Sequence, residues 1–181
     1  YIEKHVASGK GTGRRILNPT TKVFMEENAR AEMELTQLGG VDEAKRYNEA
    51  NIGAGSALLI TERVMTDGVQ TAESKNEINL NGNDSKSNIV SRSVVKEDSI
   101  QDFYVNLTAQ ARCYGHIECD AIIMDNGKNQ TIPALRALHP DAELTHEASI
   151  GKIANDQLMK LMSLGLTYDE AVNRIIQGFL N

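Results

Sequence analysis

From about residue 22 to residue 149 the chain reads as a succession of segments in which apolar and polar positions alternate. Ala31, Met33 and Leu35 fall on one face, with Glu32 and Glu34 between them. This is the pattern of a half-buried strand. The same reading predicts strands over residues 56–61, 88–95, 102–108, 115–124 and 141–148. Turn-forming clusters separate them at residues 81–84, 125–128 and 139–141, where Asn, Asp, Gly and Pro gather. In the second half, strand starts recur at irregular gaps of roughly 12 to 17 residues, close to the spacing of all-β folds. Two architectures fit that spacing: an antiparallel sandwich, or short strands wound into a β-solenoid. Strict sequence repeats are absent, so the pattern alone tilts slightly to the sandwich.

After about residue 150 the period changes. Leu158, Leu161 and Met162 follow helical spacing, with Asn155 as the expected N-cap and Gly165 as a left-handed stop. Thr167 and Glu170 are spaced as a capping box, in which hydroxyl and carboxylate each satisfy a free amide of the first turn. Ala171, Val172, Ile175, Ile176 and Phe179 continue as an apolar stripe, with Gly178 near the stop. Two short helices cannot bury both stripes between themselves, so they must pack on the β-region or on another protein. The boundaries read are 1–149 for a β-domain and 150–181 for a small helical subdomain.

Composition narrows the function classes. The 181 residues carry a formal net charge of −6. That balance argues against nucleic acid or an anionic membrane as the main partner. The densest basic group is only Lys10, Arg14 and Arg15. No apolar run approaches the ~20 residues of a membrane-spanning helix, and no signal peptide is visible. No Met precedes Tyr1, so the chain is read as a piece of a longer protein. Cys113 and Cys119 are too few for a secreted disulfide framework, and both are expected to stay reduced in the cytoplasm. No Cys-x-x-Cys pair exists, which excludes a structural zinc or a self-contained four-cysteine cluster. The run Gly9, Lys10, Gly11, Thr12, Gly13 lacks the ending of a phosphate loop and reads as a flexible loop.

Several strings taken together resemble the SufB/SufD family. Residues 115–124 (GHIECDAIIM) resemble its GHxECD stretch, and residues 146–153 (HEASIGKI) its HEATxxKI segment. Asp156 to Leu158, Gly165 and Leu166, Glu170 and Ala171, and Ile176 to Phe179 match its trailing helices in order and spacing. The region 81–92 resembles an upstream strand of the family more weakly. The match is strong from about Ser87 to Phe179.

This resemblance implies a mainly β fold: a right-handed parallel β-helix followed by a small helical subdomain. It implies a scaffold of iron–sulfur cluster assembly in the cytoplasm rather than an enzyme. The partners implied are a second SufB/SufD-type subunit (homo- or heterodimer, paired through the β-helix ends), a SufC-type ATPase recruited by the helices, and a sulfur donor protein. The cofactor implied is an iron–sulfur cluster held transiently. By the same resemblance Cys119 would receive sulfur or ligate iron, and His146 and Glu147 would ligate. Carrying all three, the chain leans to SufB, although many SufB members have Glu where this chain has Thr145.

The residues themselves leave alternatives open. Cys119 shares strand phase with Ile117, Ala121 and Ile123, so it reads either as a small buried hydrophobe or as a thiolate ligand. His146, in phase with Leu144, Ala148 and Ile150, is either a satisfied core histidine or a metal ligand. Glu147 falls on the opposite face, as a solvated charge, an iron ligand or a proton acceptor, and reaches His146 only if the strand bends. His116, Glu118 and Asp120 form an outward row, either plain polar surface or a divalent-ion site. The rival readings are a structural paralogue that holds no cluster and a carbohydrate-active β-helix enzyme. The latter sits poorly with 4% aromatic residues and no Trp.

Overall fold

In the computed structural model, which describes residues 1–8 and 12–181, the chain winds as a parallel β-helix with two C-terminal helices. Gly9, Lys10 and Gly11 of the glycine-rich run lie outside the described residues. One sheet stacks β1 (Ile2–His5), β4 (Arg30–Gln37), β6 (Ala57–Thr66), β8 (Lys86–Val95), β10 (Tyr114–Ile123) and β12 (Glu143–Gly151) in that order. The other stacks β11 (Lys128–Ala137), β9 (Ile100–Ala109), β7 (Thr71–Leu80), β5 (Glu43–Ile52) and β2 (Ile16–Leu17), with β3 (Thr20–Met25) also on β5. Every pairing is parallel. The sandwich tilt of the bare pattern is therefore corrected to a solenoid, and the resemblance predicted the fold class.

The register shows the winding. Ala57 lies beside Lys86, Lys86 beside Tyr114, and Tyr114 beside Glu143, so each coil from β6 onwards consumes 28 or 29 residues. From β6 onwards the strands start every 14 or 15 residues. The sequence reading passed over β5, β7 and β11 and misplaced strand starts by up to two residues, which hid this regular spacing. Turns stack as well as strands. Asn28, Gly55 and Asp84 take positive φ (59°, 67°, 60°) in successive coils of one turn column, and Gly68, Glu97 and Asp125 (60°, 57°, 53°) do so in the other. Each such residue reverses the chain in the left-handed region, where Gly, Asn and Asp are least strained. Gly82 is required for a different reason: a Cβ there would stand 2.1 Å from the backbone nitrogen of Ala54 in the coil below.

The lumen is divided lengthwise. Early positions of the first sheet (Leu58, Ile60, Ile89, Ile117) and late positions of the second (Ile52, Ile78, Leu80, Val105, Leu107) form one apolar core. The other half-lumen is polar, lined by Arg46, Asn48, Glu62, Ser74, Asn76, Ser91, Ser93 and Gln101, all buried. Buried polar groups need partners. Ser74 donates to Glu62 Oε2 at 2.9 Å, Asn48 to Asn76 Oδ1 at 2.9 Å, and Gln101 to Thr66 Oγ1 and the Val94 carbonyl at 3.0 Å each.

Helices α1 (Asn155–Ser163) and α2 (Tyr168–Leu180) pack outside the first sheet. Leu158, Ala171, Val172, Ile176 and Leu180 close over Val94, with Met65 and Ile122 alongside. The α2 stripe thus buries against the β-region, whereas of the α1 stripe Leu158 is buried, Leu161 half-buried and Met162 exposed. Thr167 and Glu170 form the capping box as read. The α1 cap differs: Ala154 is the N-cap without a side-chain bond, and Asn155 is the first helical residue. Gly165 follows α1 at φ 99°. Met159, Met162, Leu164 and Tyr168 remain exposed on the outer side. No described helix is long and apolar enough to cross a membrane.

Candidate functional site

The candidate residues gather on the last two strands of the first sheet. β10 lies between β8 and β12, and β12 is the terminal strand, as β11 is in the second sheet. Among the described residues nothing pairs with the outer edges of β11 and β12, and Ile132, Leu135, Leu138 and Ile150 are exposed there.

Alternation sorts the side chains. Cys119 points inward, 3% exposed, aligned with Ser91 on one side and Ala148 on the other. It sits where the two half-lumens meet: it packs in the apolar core and, with Glu62, Ser91, Ser93, Asp120 and Asn129, lines a cavity of about 30 Å³. That space matches roughly one water molecule. Burial pushes the thiol up to about 12, and the Asp120, Glu62 and Glu118 carboxylates add to the shift. At neutral pH the group is therefore a thiol. It becomes a ligand only when the arriving metal displaces its proton. Cys113 is free too, buried in the turn before β10, and burial also raises it.

His146 also lies on the inward phase, paired with Ile117. It caps the apolar column rather than the polar one. Its Nε2 is buried without a hydrogen-bond partner. Burial lowers its pKa, and nearby His116 lowers it further, against the opposing pull of Glu147. The ring is thus held neutral with a free nitrogen, the form that binds a metal. Cys119 and His146 sit on adjacent strands two positions apart, which places their Cα atoms roughly 8 Å from each other at the usual strand spacing and rise.

Glu147 does not join them. β12 runs unbroken through residues 143–151, so Glu147 faces outward with its side chain 67% exposed. Its Oε1 lies 3.3 Å from His116 Nε2, and His116 Nδ1 is 2.7 Å from the Thr145 hydroxyl. Glu118 pairs in register with Glu147. Ligand atoms of His116, Glu118 and Glu147 all lie within 4.8 Å of one another. Burial, then Asp120 and Glu147, raise the Glu118 carboxyl, against Arg92. The outward row read from sequence is therefore real, but its third member is Glu147 rather than Asp120, and Thr145 is a partner that sequence reasoning missed. The signal that finds them is the 29-residue register between β10 and β12, which no single strand reveals.

Comparison with known proteins bears on this arrangement. Residues 3–179 match the family model described as SUF system FeS cluster assembly, SufBD core domain. The chain is 36% identical over 184 aligned positions to an iron–sulfur cluster assembly SufBD family protein of Pyrococcus horikoshii, covering 99% of this chain and 55% of that protein. It is 29% identical over 165 positions to one of Archaeoglobus fulgidus (91% and 45%), and 28% identical over 170 to one of Methanocaldococcus jannaschii (93% and 54%). The chain spans about half the length of these curated relatives.

Proposed function

The chain belongs to the SufBD core-domain family of the SUF iron–sulfur cluster assembly system, and from that premise we propose that it is a non-enzymatic scaffold on which clusters are built and from which they are passed on. The observation that carries the reading is the open terminal coil. There a buried thiol and an unpartnered imidazole nitrogen stand on neighbouring strands beside an unpaired sheet edge. Unpaired edges recruit strands. A second SufB/SufD-type subunit seated on β11 and β12 would cover the exposed Ile132, Leu135 and Ile150 and complete the ligand set. Two protein ligands are too few for a cluster, so the remainder come from that subunit, from sulfide or from the acceptor protein.

The remaining roles follow from placement. Cys119 accepts sulfur or ligates iron, His146 ligates through Nε2, and Glu147 acts from the outer face as an iron ligand. A sulfur donor protein supplies the terminal coil. A SufC-type ATPase docks on the helices, where Met159, Met162, Leu164 and Tyr168 are exposed. All of this takes place in the cytoplasm, and the cluster is a transient cargo.

Anaerobic reconstitution with iron and sulfide tests the reading, comparing wild type with Cys119→Ala and His146→Ala. The expected result is a cluster absorption band in wild type that falls at least severalfold in both variants. Equal yields in all three would remove the site assignment. The thiol's burial favours one alternative, a structural paralogue that dimerises and binds the ATPase without holding a cluster. ATPase capture together with failed reconstitution of the wild-type chain would support it.

A further inference from the structure

On the outer face of the β10–β12 ladder we propose a separate binding site for one first-row divalent cation, formed by His116 Nε2 and the carboxylates of Glu118 and Glu147. The proposal goes beyond the cluster-assembly reading and shares only Glu147 with it: Cys119 points to the other side of the sheet, and His116 and Glu118 have no part in that reading.

The pairing geometry is the first argument. Glu118 and Glu147 are direct register partners on adjacent strands. Two like charges directly opposite each other destabilise a ladder unless something of opposite charge lies between them. The neighbouring strand supplies no such charge at these positions: Asn88 aligns with His116 and Val90 with Glu118. The basic group acting on Glu118 is Arg92, which aligns with Asp120 and donates through Nη1 to the Phe179 carbonyl at 3.3 Å. A divalent cation would balance the two carboxylates.

The imidazole is the second. His116 Nδ1 is 2.7 Å from Thr145 Oγ1. With Nδ1–H donating to that hydroxyl, the Nε2 lone pair points to the Glu147 side, where Oε1 lies 3.3 Å away. A ligating histidine fixed through its other nitrogen is the usual support of a metal site. Thr145 thus orients the ring rather than touching the ion.

The donor set selects the metal. One imidazole and two carboxylates without a thiolate suit Mn2+, Fe2+ or Zn2+ rather than a soft ion. Atoms each about 2.1 Å from one ion lie at most roughly 4.2 Å apart. The three ligand atoms already lie within 4.8 Å of one another, so small rotations close the set. The exposed Glu147 can supply much of that movement. Three protein ligands leave open positions for water or an exchanging ligand.

The test uses Mn2+ alone, titrated into chelator-treated protein and followed by loss of the aqueous Mn2+ EPR signal. One Mn2+ per chain is expected. Glu118→Gln and His116→Gln should each weaken binding at least tenfold, and Thr145→Val severalfold through the ring orientation. Cys119→Ala should leave it unchanged. Circular dichroism confirms that each variant is folded. Absence of saturable binding, binding indifferent to Glu118→Gln and His116→Gln, or binding lost in Cys119→Ala would overturn the proposal. Cluster reconstitution is read separately. A Glu118→Gln protein that loses Mn2+ but still assembles a cluster keeps this site and the scaffold reading distinct.

Discussion

On the inner face of the β10–β12 ladder, Cys119 is buried with its proton held fast, and the half-buried His146 keeps a ring nitrogen buried and unpartnered. One residue along, on the outer face, His116 and Glu147 meet at ion-pair distance, and the ligand atoms of His116, Glu118 and Glu147 all lie within 4.8 Å of one another. The two faces come from the same nine register pairs. Period-two alternation alone assigns soft, proton-gated ligands to the lumen and hard, charged ligands to the surface. Inner residues are thus bound to the packing of the solenoid, and outer residues are free to exchange ions.

That contrast can be broken by substitution. Ile117, fully buried between Ile89 and His146, belongs to the packed face. Ile117→Ala should cost about 3 kcal/mol in urea denaturation, the usual range for such a truncation. Glu118→Gln, one position along and outward, removes a like-charge pairing and should leave stability within about 0.5 kcal/mol of wild type, or raise it slightly. Equal losses for the two would mean that the faces are not energetically distinct.

A smaller effect supplies a baseline for work in acid. Asp42, remote from the ladder, is held at a pKa of about 2 by hydrogen bonds from the Arg15 side chain and backbone. Its folded pKa is lowered, so its contribution is present above the unfolded value of about 3.9 and is lost as pH falls towards 2. Melting temperature should decline over that window, and more shallowly in Asp42→Asn. An unchanged slope would remove this pair from the account.

How much of this was legible follows the divided lumen. β4, β9, β10 and β12 were read because their inward positions carry apolar runs, such as Met33 and Leu35 or Phe103, Val105 and Leu107, whereas β8, with Ser87, Ser91 and Ser93 inward, was read from its β-branched Ile89, Val90, Val94 and Val95. β5, β7 and β11 were missed because their inward residues begin polar: Arg46 and Asn48, Ser74 and Asn76, Asn129 and Thr131. Those residues are inside because the lumen's other half is hydrogen-bonded, a property invisible to hydrophobic periodicity. Pro133 further disguised β11, where it is tolerated because that strand is an edge. The α2 capping box was legible because it is local. The separation of Glu147 from His146 was also legible from alternation. Its union with His116 and Glu118 was not, because that depends on which strand lies beside which.

The central claim, that the cluster is held by the inner-face His146 and not by the outer-face His116, is tested most directly by pulsed EPR of the reconstituted, reduced protein carrying isotope-labelled histidine nitrogen. The account predicts a nitrogen coupling to the cluster that disappears in His146→Gln and persists in His116→Gln. A coupling that survives His146→Gln, or vanishes in His116→Gln instead, would contradict it.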